Sequence, residues 1–493
     1  MKTRELFDGR EQANPQLSKA VKHVSDFWIP ASPDLVAQIR EMLVSGVSDT
    51  RQIAQAISQD MALYTYALKQ LSFMLQAEDG YTAPCIENPI ELLAWAGTER
   101  LQVIMKGADT ISTHSLKSMN AVQRGRFEEV QISALTAESL APAYELDSGM
   151  LYTAGMLRQF GLALIAWNYP VVYQKAILHL SAGESLDATL SQMFGFSPAL
   201  LAISVMKEWE LPEVLFEALT LEDQEDVSDE DDESRAVAAT ISRLCAVGEA
   251  LARANNPDTY PTARRDWAYA YGEIKEALGE NGVVRIAEKV RVRCSTLSES
   301  APHLFTPGFA LDPQARIASF LAKTFSEKNI YLTSCAPQLK EALVLWYQAH
   351  RAGEISRTQL QSLAKLIIPS AGFDLGCVFT YDPTSDVLIA QLAIGTGTTK
   401  GFKAIRSNGI GEAEGSIEQQ IAHGFIDNQT VIATTQNDRG SSVVSFAGAL
   451  GFSQKIGVLY LQMRSVLYRK NPEQELLHFK ALCQAFNHAL DLK

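Results

Sequence analysis

From Pro33 to about Leu219, apolar residues recur at three- and four-residue spacing, as at Leu35, Ile39 and Met42 or at Leu68, Leu71 and Leu75, with almost no strand signal between them. That period marks one face of an α-helix, so the stretch is constrained to fold as amphipathic helices sharing a core. Short polar residues stand where such helices should begin. Asp49 or Thr50 can cap a helix carrying Ile53 and Ile57, and Asp60 can cap the next, because a side-chain oxygen accepts from a first-turn N–H that lacks another partner. Pro84, Pro89, Pro170, Pro198 and Pro212 punctuate the run where a missing N–H is least costly.

The acidic segment Glu222 to Glu233 holds nine carboxylates and no Lys or Arg, and reads as a solvated loop inserted in the helical region. Beyond it Val237, Ile241, Leu244, Gly248 and Leu251 resume a helical stripe, and a second helical stretch covers roughly Trp267 to Cys294. Both are expected to pack back on the first helices. Ser298 to Pro313, with Pro302, Pro307, Gly308 and Pro313, is the linker candidate.

The last third changes period. Leu375 to Tyr381 and Val387 to Leu392 are β-prone runs joined by Asp382 to Asp386, which predicts a hairpin. Further strands are expected at Thr430 to Thr434, Ser442 to Phe446 and Ile456 to Met463, between helices at Ser356 to Ser370 and Pro472 to Leu490. An antiparallel sheet flanked by helices follows.

A chain of 493 residues implies two or three domains. The net charge of -14 argues against an extended phosphate-binding surface, and removing the acidic segment leaves about -5 for the rest. Nucleic acid is therefore not an expected partner. No run approaches the roughly 18 apolar residues that span a membrane, the N-terminus MKTRELFDGREQ lacks an apolar secretion segment, and the six cysteines are widely spaced. A cytoplasmic protein with no membrane partner is expected.

The segment Ile29 to Leu71, IPASPDLVAQIREMLVSGVSDTRQIAQAISQDMALYTYALKQL, resembles the start of an HDOD domain, with Asp60-Met61 where that family carries Asp-Pro. Pro89 to Met105, PIELLAWAGTERLQVIM, is similar to its helix-glycine-helix element, Met150 to Trp167, MLYTAGMLRQFGLALIAW, to its central helix, and Trp209 to Leu219, WELPEVLFEAL, extends the likeness. The resemblance implies a non-catalytic relative of the HD and HD-GYP phosphohydrolases. Catalytic relatives place a His-Asp pair on the central helix and further His and Asp ligands around it, so that one or two metals can activate water. Here that pair is Arg158-Gln159. A guanidinium is a donor only and an amide is a poor bridging ligand.

All eight histidines (His23, His114, His179, His303, His350, His423, His478 and His488) are isolated, and none precedes Asp. Gln131, Ile132 and Ser133 stand where relatives place an upstream ligand, and Thr220 and Leu221 where paired histidines often follow. No catalytic residue, metal site or cofactor is expected. Arg158 is either an anion contact in a vestigial pocket or an ordinary salt-bridged or solvent-facing arginine. Gly395, Gly397 and Gly401 have the wrong spacing for a phosphate loop, the acidic run lacks the pattern of a calcium loop, and Cys377 reads as core.

Residues from about Ser356 to Leu490 resemble a divergent GAF domain, most clearly in KIGVLYLQM, Lys455 to Met463, with a helix near Ser416 to His423. That resemblance implies a sensor of a small molecule or a dimerisation module. No cysteine lies between Thr396 and Ser442, so a covalently attached tetrapyrrole is not expected.

The expected organisation is multidomain: an N-terminal extension over 1–24, an all-α HD-like HDOD domain over 25–297 with the acidic loop 222–233 inserted, a linker with connecting helices over 298–354, and an α+β GAF-like domain over 355–493. The expected role is a bacterial-type regulatory protein of signal transduction that binds signalling proteins and can form a homodimer. Two alternatives stay open, a divergent metal-dependent HD phosphohydrolase acting on cyclic nucleotides and a cyclic-nucleotide receptor acting through the GAF-like pocket.

Overall fold

The computed structural model describes residues 14–491 apart from 79–85, 181–183, 210, 222–232, 301–304, 307–308, 349–356, 396–398, 400–401, 410–411, 428, 437–439 and 452–453. The chain forms two compact units that divide between Pro313 and Gln314.

The first unit is helical, and its opening helices begin at short polar caps. Helices α1 (Pro15–Phe27), α2 (Pro33–Ser45), α3 (Thr50–Ile57) and α4 (Met61–Gln76) start behind Asn14, Ser32, Asp49 and Asp60, each accepting from a first-turn N–H. Asp49 forms a reciprocal capping box with Gln52. Asp60 also accepts from the Ser32 N–H at 2.9 Å, so one carboxylate fastens the starts of two helices. Helices α5 (Pro89–Trp95) and α6 (Gly97–Lys106) follow, and then the 20-residue α7 (Ala121–Leu140).

Helix α7 is buried on nearly every side. Gln123, Arg126, Glu128, Glu129, Gln131, Ser133 and Thr136 all lie under other elements, so its polar groups must find partners inside the protein. The segment resembling a single central helix is two, α8 (Ser148–Arg158) and α9 (Phe160–Asn168), with Gln159 ending one and starting the other. Gly161, just past the break, lets the carbonyl of Pro198 approach to where a Cβ would stand, 1.9 Å away. Helices α10 (Pro170–Leu178), α11 (Leu186–Phe194), α12 (Pro198–Met206) and α13 (Glu213–Thr220) complete this part.

Helix α14 (Glu233–Ala254) then lies along α7 and α8, burying Ile241, Leu244, Gly248 and Leu251 as their spacing predicts. The stretch Trp267 to Cys294 is also divided, into α15 (Ala263–Leu278) and α16 (Gly282–Ser300), because Gly279 takes a left-handed φ of 79°. The described part of the expected linker is tied to this unit. Thr306 N–H donates to Glu128 at 2.6 Å, and Asn255 joins Ala310 O and Asp312 N–H. The acidic run lies outside the described residues except for Glu233.

In the second unit, β1 (Phe373–Asp382), β2 (Val387–Gly395), β3 (Ile405–Arg406), β4 (Val431–Gln436), β5 (Ser442–Leu450) and β6 (Gly457–Arg464) form one antiparallel sheet, ordered β3-β2-β1-β6-β5-β4. The β1–β2 hairpin turns at residues 383–386, where Asp386 adopts a φ of 53°. Side chains alternate between two cores. Leu459, Leu461 and Met463 of β6 face α18 (Pro337–Gln348), the helical turns at 363–370 and α22 (Pro472–Asp491), while Val458 and Tyr460 face α20 (Ile417–Ile426). The set also includes α17 (Pro313–Lys328), α19 (Arg357–Ser362) and α21 (Ser465–Tyr468).

Among the described residues no single helix is long and apolar enough to cross a membrane.

Candidate functional site

In the helical unit, α7, α8, α11, α12, α14 and α15 surround a cavity of about 520 Å³, and Arg158 and Gln159 stand on its wall. Arg158, at the C-terminus of α8, donates from Nε to Glu249 Oε1 at 2.8 Å and from Nη1 to Ser242 Oγ at 2.9 Å. Both Arg158 and Glu249 side chains are 13% exposed, so the pair is largely shielded from water. Burial pushes the Glu249 carboxyl up, but Arg158, with Arg253 and Gln159 behind it, outweighs burial and holds it below its ordinary value. Arg158 is thus a salt-bridged residue and a cavity residue at once.

A second ion pair lines the cavity. Arg253 of α14 makes two 3.2 Å bonds to Asp266 of α15, whose carboxylate also accepts from Thr262 Oγ1 at 2.7 Å. A third pair, Arg126 with Glu129, lies within α7. Glu129 further accepts from Tyr260 OH at 2.8 Å and Asn256 Nδ2 at 3.0 Å, so α7 is stitched to the chain just past α14. Asp187, in the first turn of α11, opens on the cavity. Its carboxyl is held above the ordinary range by the surrounding protein first and by Glu249 second, against the pull of Arg126, Arg253 and Arg158.

Of the positions compared with catalytic relatives, Arg158, Gln159, Thr220 and Leu221 do meet at the cavity. Gln131 and Ser133 do not. Gln131 turns away and gives Nε2 to Gln59 O at 3.2 Å, and Ser133 lies under Gly248. The residue that α7 brings to the site is Arg126, and with it Asp187, Glu249, Arg253, Arg265 and Asp266 are the participants that sequence spacing did not indicate. The one available signal was a run of charge, Arg126, Glu128 and Glu129, entering a helix otherwise suited to burial.

A metal centre of the HD type does not fit these residues. No histidine or cysteine lines the cavity, and Glu249 and Asp266 already spend their lone pairs on guanidinium groups. Among the described residues no three His, Cys, Asp or Glu side chains are grouped to hold a metal ion.

The other singled-out residues lie elsewhere. Gly395 ends β2 with a φ of 65°, and Gly397 and Gly401 fall outside the described residues. Cys377 is fully buried in β1, and burial pushes its thiol up to about 12.

Residues 29–225 match the HDOD domain family, so the helical unit contains an HDOD domain. The match spans α2 to α13 and stops before α14 and α15, which supply Glu249, Arg253, Arg265 and Asp266. A search of curated proteins gives no match. Among solved structures, the response regulator MmoQ from Methylococcus capsulatus is similar at 18% identity and a TM-score of 0.39, over 53% of this chain and 98% of that one. A virulence factor from Campylobacter jejuni gives 16% identity and a TM-score of 0.38, over 56% of this chain and 99% of the other. A candidate phosphohydrolase from Shewanella amazonensis gives 16% and 0.30, over 59% and 98%.

Proposed function

We propose that this protein is a non-catalytic regulatory component of signal transduction, in which the HDOD-containing unit is a scaffold for signalling proteins and the second unit is a GAF-like module. One observation carries the reading: the place of a metal-binding His-Asp pair is taken by Arg158-Gln159, and Arg158 is committed to Glu249. Removing either partner would strand a buried charge, so the pair is a settled part of the core rather than a ligand set awaiting a metal.

The GAF-like reading is supported by the antiparallel sheet with helices on both faces and by the central position of the strand within Lys455 to Met463. Dimerisation or docking is favoured over ligand sensing for this module. The sheet face beneath α20 is filled by Phe379, Tyr460 and Ile421, with the Phe402 ring edge-on to both Phe379 and Tyr460. Gln420 closes the remainder through Ser445 and Val431 O.

The test is metal analysis of protein purified without chelator, combined with an assay for hydrolysis of cyclic dinucleotides. Trace metal and no turnover are expected. Stoichiometric iron or manganese with measurable hydrolysis would overturn the proposal.

A further inference from the structure

We infer that the cavity of the helical unit is a metal-free binding site for a small organic oxyanion, a phosphate or carboxylate group carried on an apolar body. The central residue for this reading is Arg126, a buried member of the lining. It is 4% exposed and gives Nη2 to Glu129, with Tyr173 beside it, while Nε and Nη1 have no hydrogen-bond acceptor. A buried charged donor left unpaired is costly, so idle guanidinium donors in a cavity lining mark a place where an acceptor belongs.

Three helix N-termini converge on the same space. Helix α11 begins behind Ser185, α12 behind Ser197 and α15 behind Thr262, and all three residues line the cavity. Their first-turn N–H groups and aligned dipoles favour negative charge. At the rim Arg265 is exposed and makes no ion pair among the described residues. Arg126, Arg158 and Arg253 are each paired with one carboxylate, Glu129, Glu249 and Asp266, which leaves Arg265 on one side and Glu184 and Asp187 on the other, so it is donor geometry and not net charge that marks the site.

Asp187 sharpens the picture. Its carboxyl faces Arg126, Arg158 and Arg253 without a hydrogen bond to any of them, so it is a tethered competitor that a stronger ligand would displace. The lining also includes the apolar side chains of Leu157, Leu186, Leu200, Ile203, Met206 and Leu219. A volume of about 520 Å³ lies within the range of small-molecule sites. Unpaired guanidinium and helix N-terminal donors beside apolar lining select an amphipathic anion over an inorganic one. This site adds to the scaffold role and does not depend on it.

The experiment is calorimetric titration of the full chain at fixed ionic strength with pyrophosphate, adenosine 5′-monophosphate, citrate and octanoate, which separates phosphate from carboxylate and apolar from fully polar ligands. Saturable binding of adenosine monophosphate or octanoate is expected, tighter than that of pyrophosphate or citrate. Arg265→Ala removes one charge contact and should weaken binding about tenfold, without loss of fold because the side chain is exposed. Arg126→Gln should abolish binding, with circular dichroism to check folding. Asp187→Asn removes the tethered competitor and should tighten binding several-fold. No saturable binding of any probe, to wild type or to Asp187→Asn, overturns the inference, as does binding that Arg265→Ala and Asp187→Asn leave unchanged. The metal and hydrolysis assay reads the scaffold proposal separately, so the two can fail independently.

Discussion

Gly248 is a close contact between α14 and α7, and replacing it with alanine tests whether that contact sets the helical core. A Cβ there would stand 2.4 Å from Ser133 O and 3.1 Å from Ser133 C and Cα, all backbone atoms that cannot rotate aside. On intrinsic propensity alone Gly248→Ala should stabilise a helix by about 1 kcal/mol. Steric overlap opposes that gain. Reaching ordinary contact requires α14 to retreat by about 1 Å, and close-packed interiors charge about 1–3 kcal/mol for such overpacking. The same shift would draw Glu249, the next residue, away from Arg158. We expect a net loss of up to about 2 kcal/mol. Gly272→Ala, in the middle of α15 with nothing within 4 Å of its Cβ position, should show the bare propensity gain. Urea melts followed by far-UV circular dichroism compare the two, with a separation of about 1–3 kcal/mol expected. A Gly248→Ala protein as stable as Gly272→Ala would refute the packing argument.

Arg158→Met strands Glu249 and should cost about 3 kcal/mol, the low end for a broken buried pair because Arg253 and Gln159 still face the carboxylate. Adding Glu249→Leu should recover most of that loss, and a double variant no better than the single one would contradict this reading of the pair. Because the folded Glu249 carboxyl lies below its unfolded value, its contribution is present in full above the unfolded value and is lost as pH falls through the folded one. Arg158→Met should flatten this acid limb of stability against pH, measured by urea melts at stepped pH. Asp60→Ala removes acceptors for both Leu63 and Ser32 N–H and should cost about 2 kcal/mol in the same melts, whereas Asp60→Asn, which keeps an acceptor, should cost less. Burial raises the thiols of Cys294 and Cys377 to about 12, so iodoacetamide at pH 8 should modify them, by mass spectrometry, only after denaturation.

Local signals in the sequence reported local structure faithfully. Asp49 and Asp60 cap the helices their spacing announced, the alternation in Val458 to Met463 gave a strand with two faces, and the stripe from Ile241 to Leu251 is buried. Helix breaks were less legible. Just past the division at Gln159, Pro198 packs against Gly161, a contact across nearly forty residues of chain that no local pattern encodes. The cavity was least legible, since Arg126, Asp187, Glu249 and Asp266 come from four separate helices. Even on one helix the phase misled. Gln131 is rotated roughly 140° from Arg126, and Ser133 shares its stripe but lies about 10 Å further along the axis, under Gly248 rather than at the cavity.

That α14 and α15 build one wall of the cavity while lying beyond residue 225 bears on how this chain could be divided or recombined. A fragment cut at the edge of the HDOD match would keep Arg158 but lose Glu249 and Ser242, and it would bare the side of α7 where Ser133 meets Gly248. Fusing such a piece to another protein would transplant a charge without its counter-charge and a core helix with one flank open to water. The portable unit of this architecture is the whole run to Pro313, so shuffling experiments should respect that border and not the sequence-matched one.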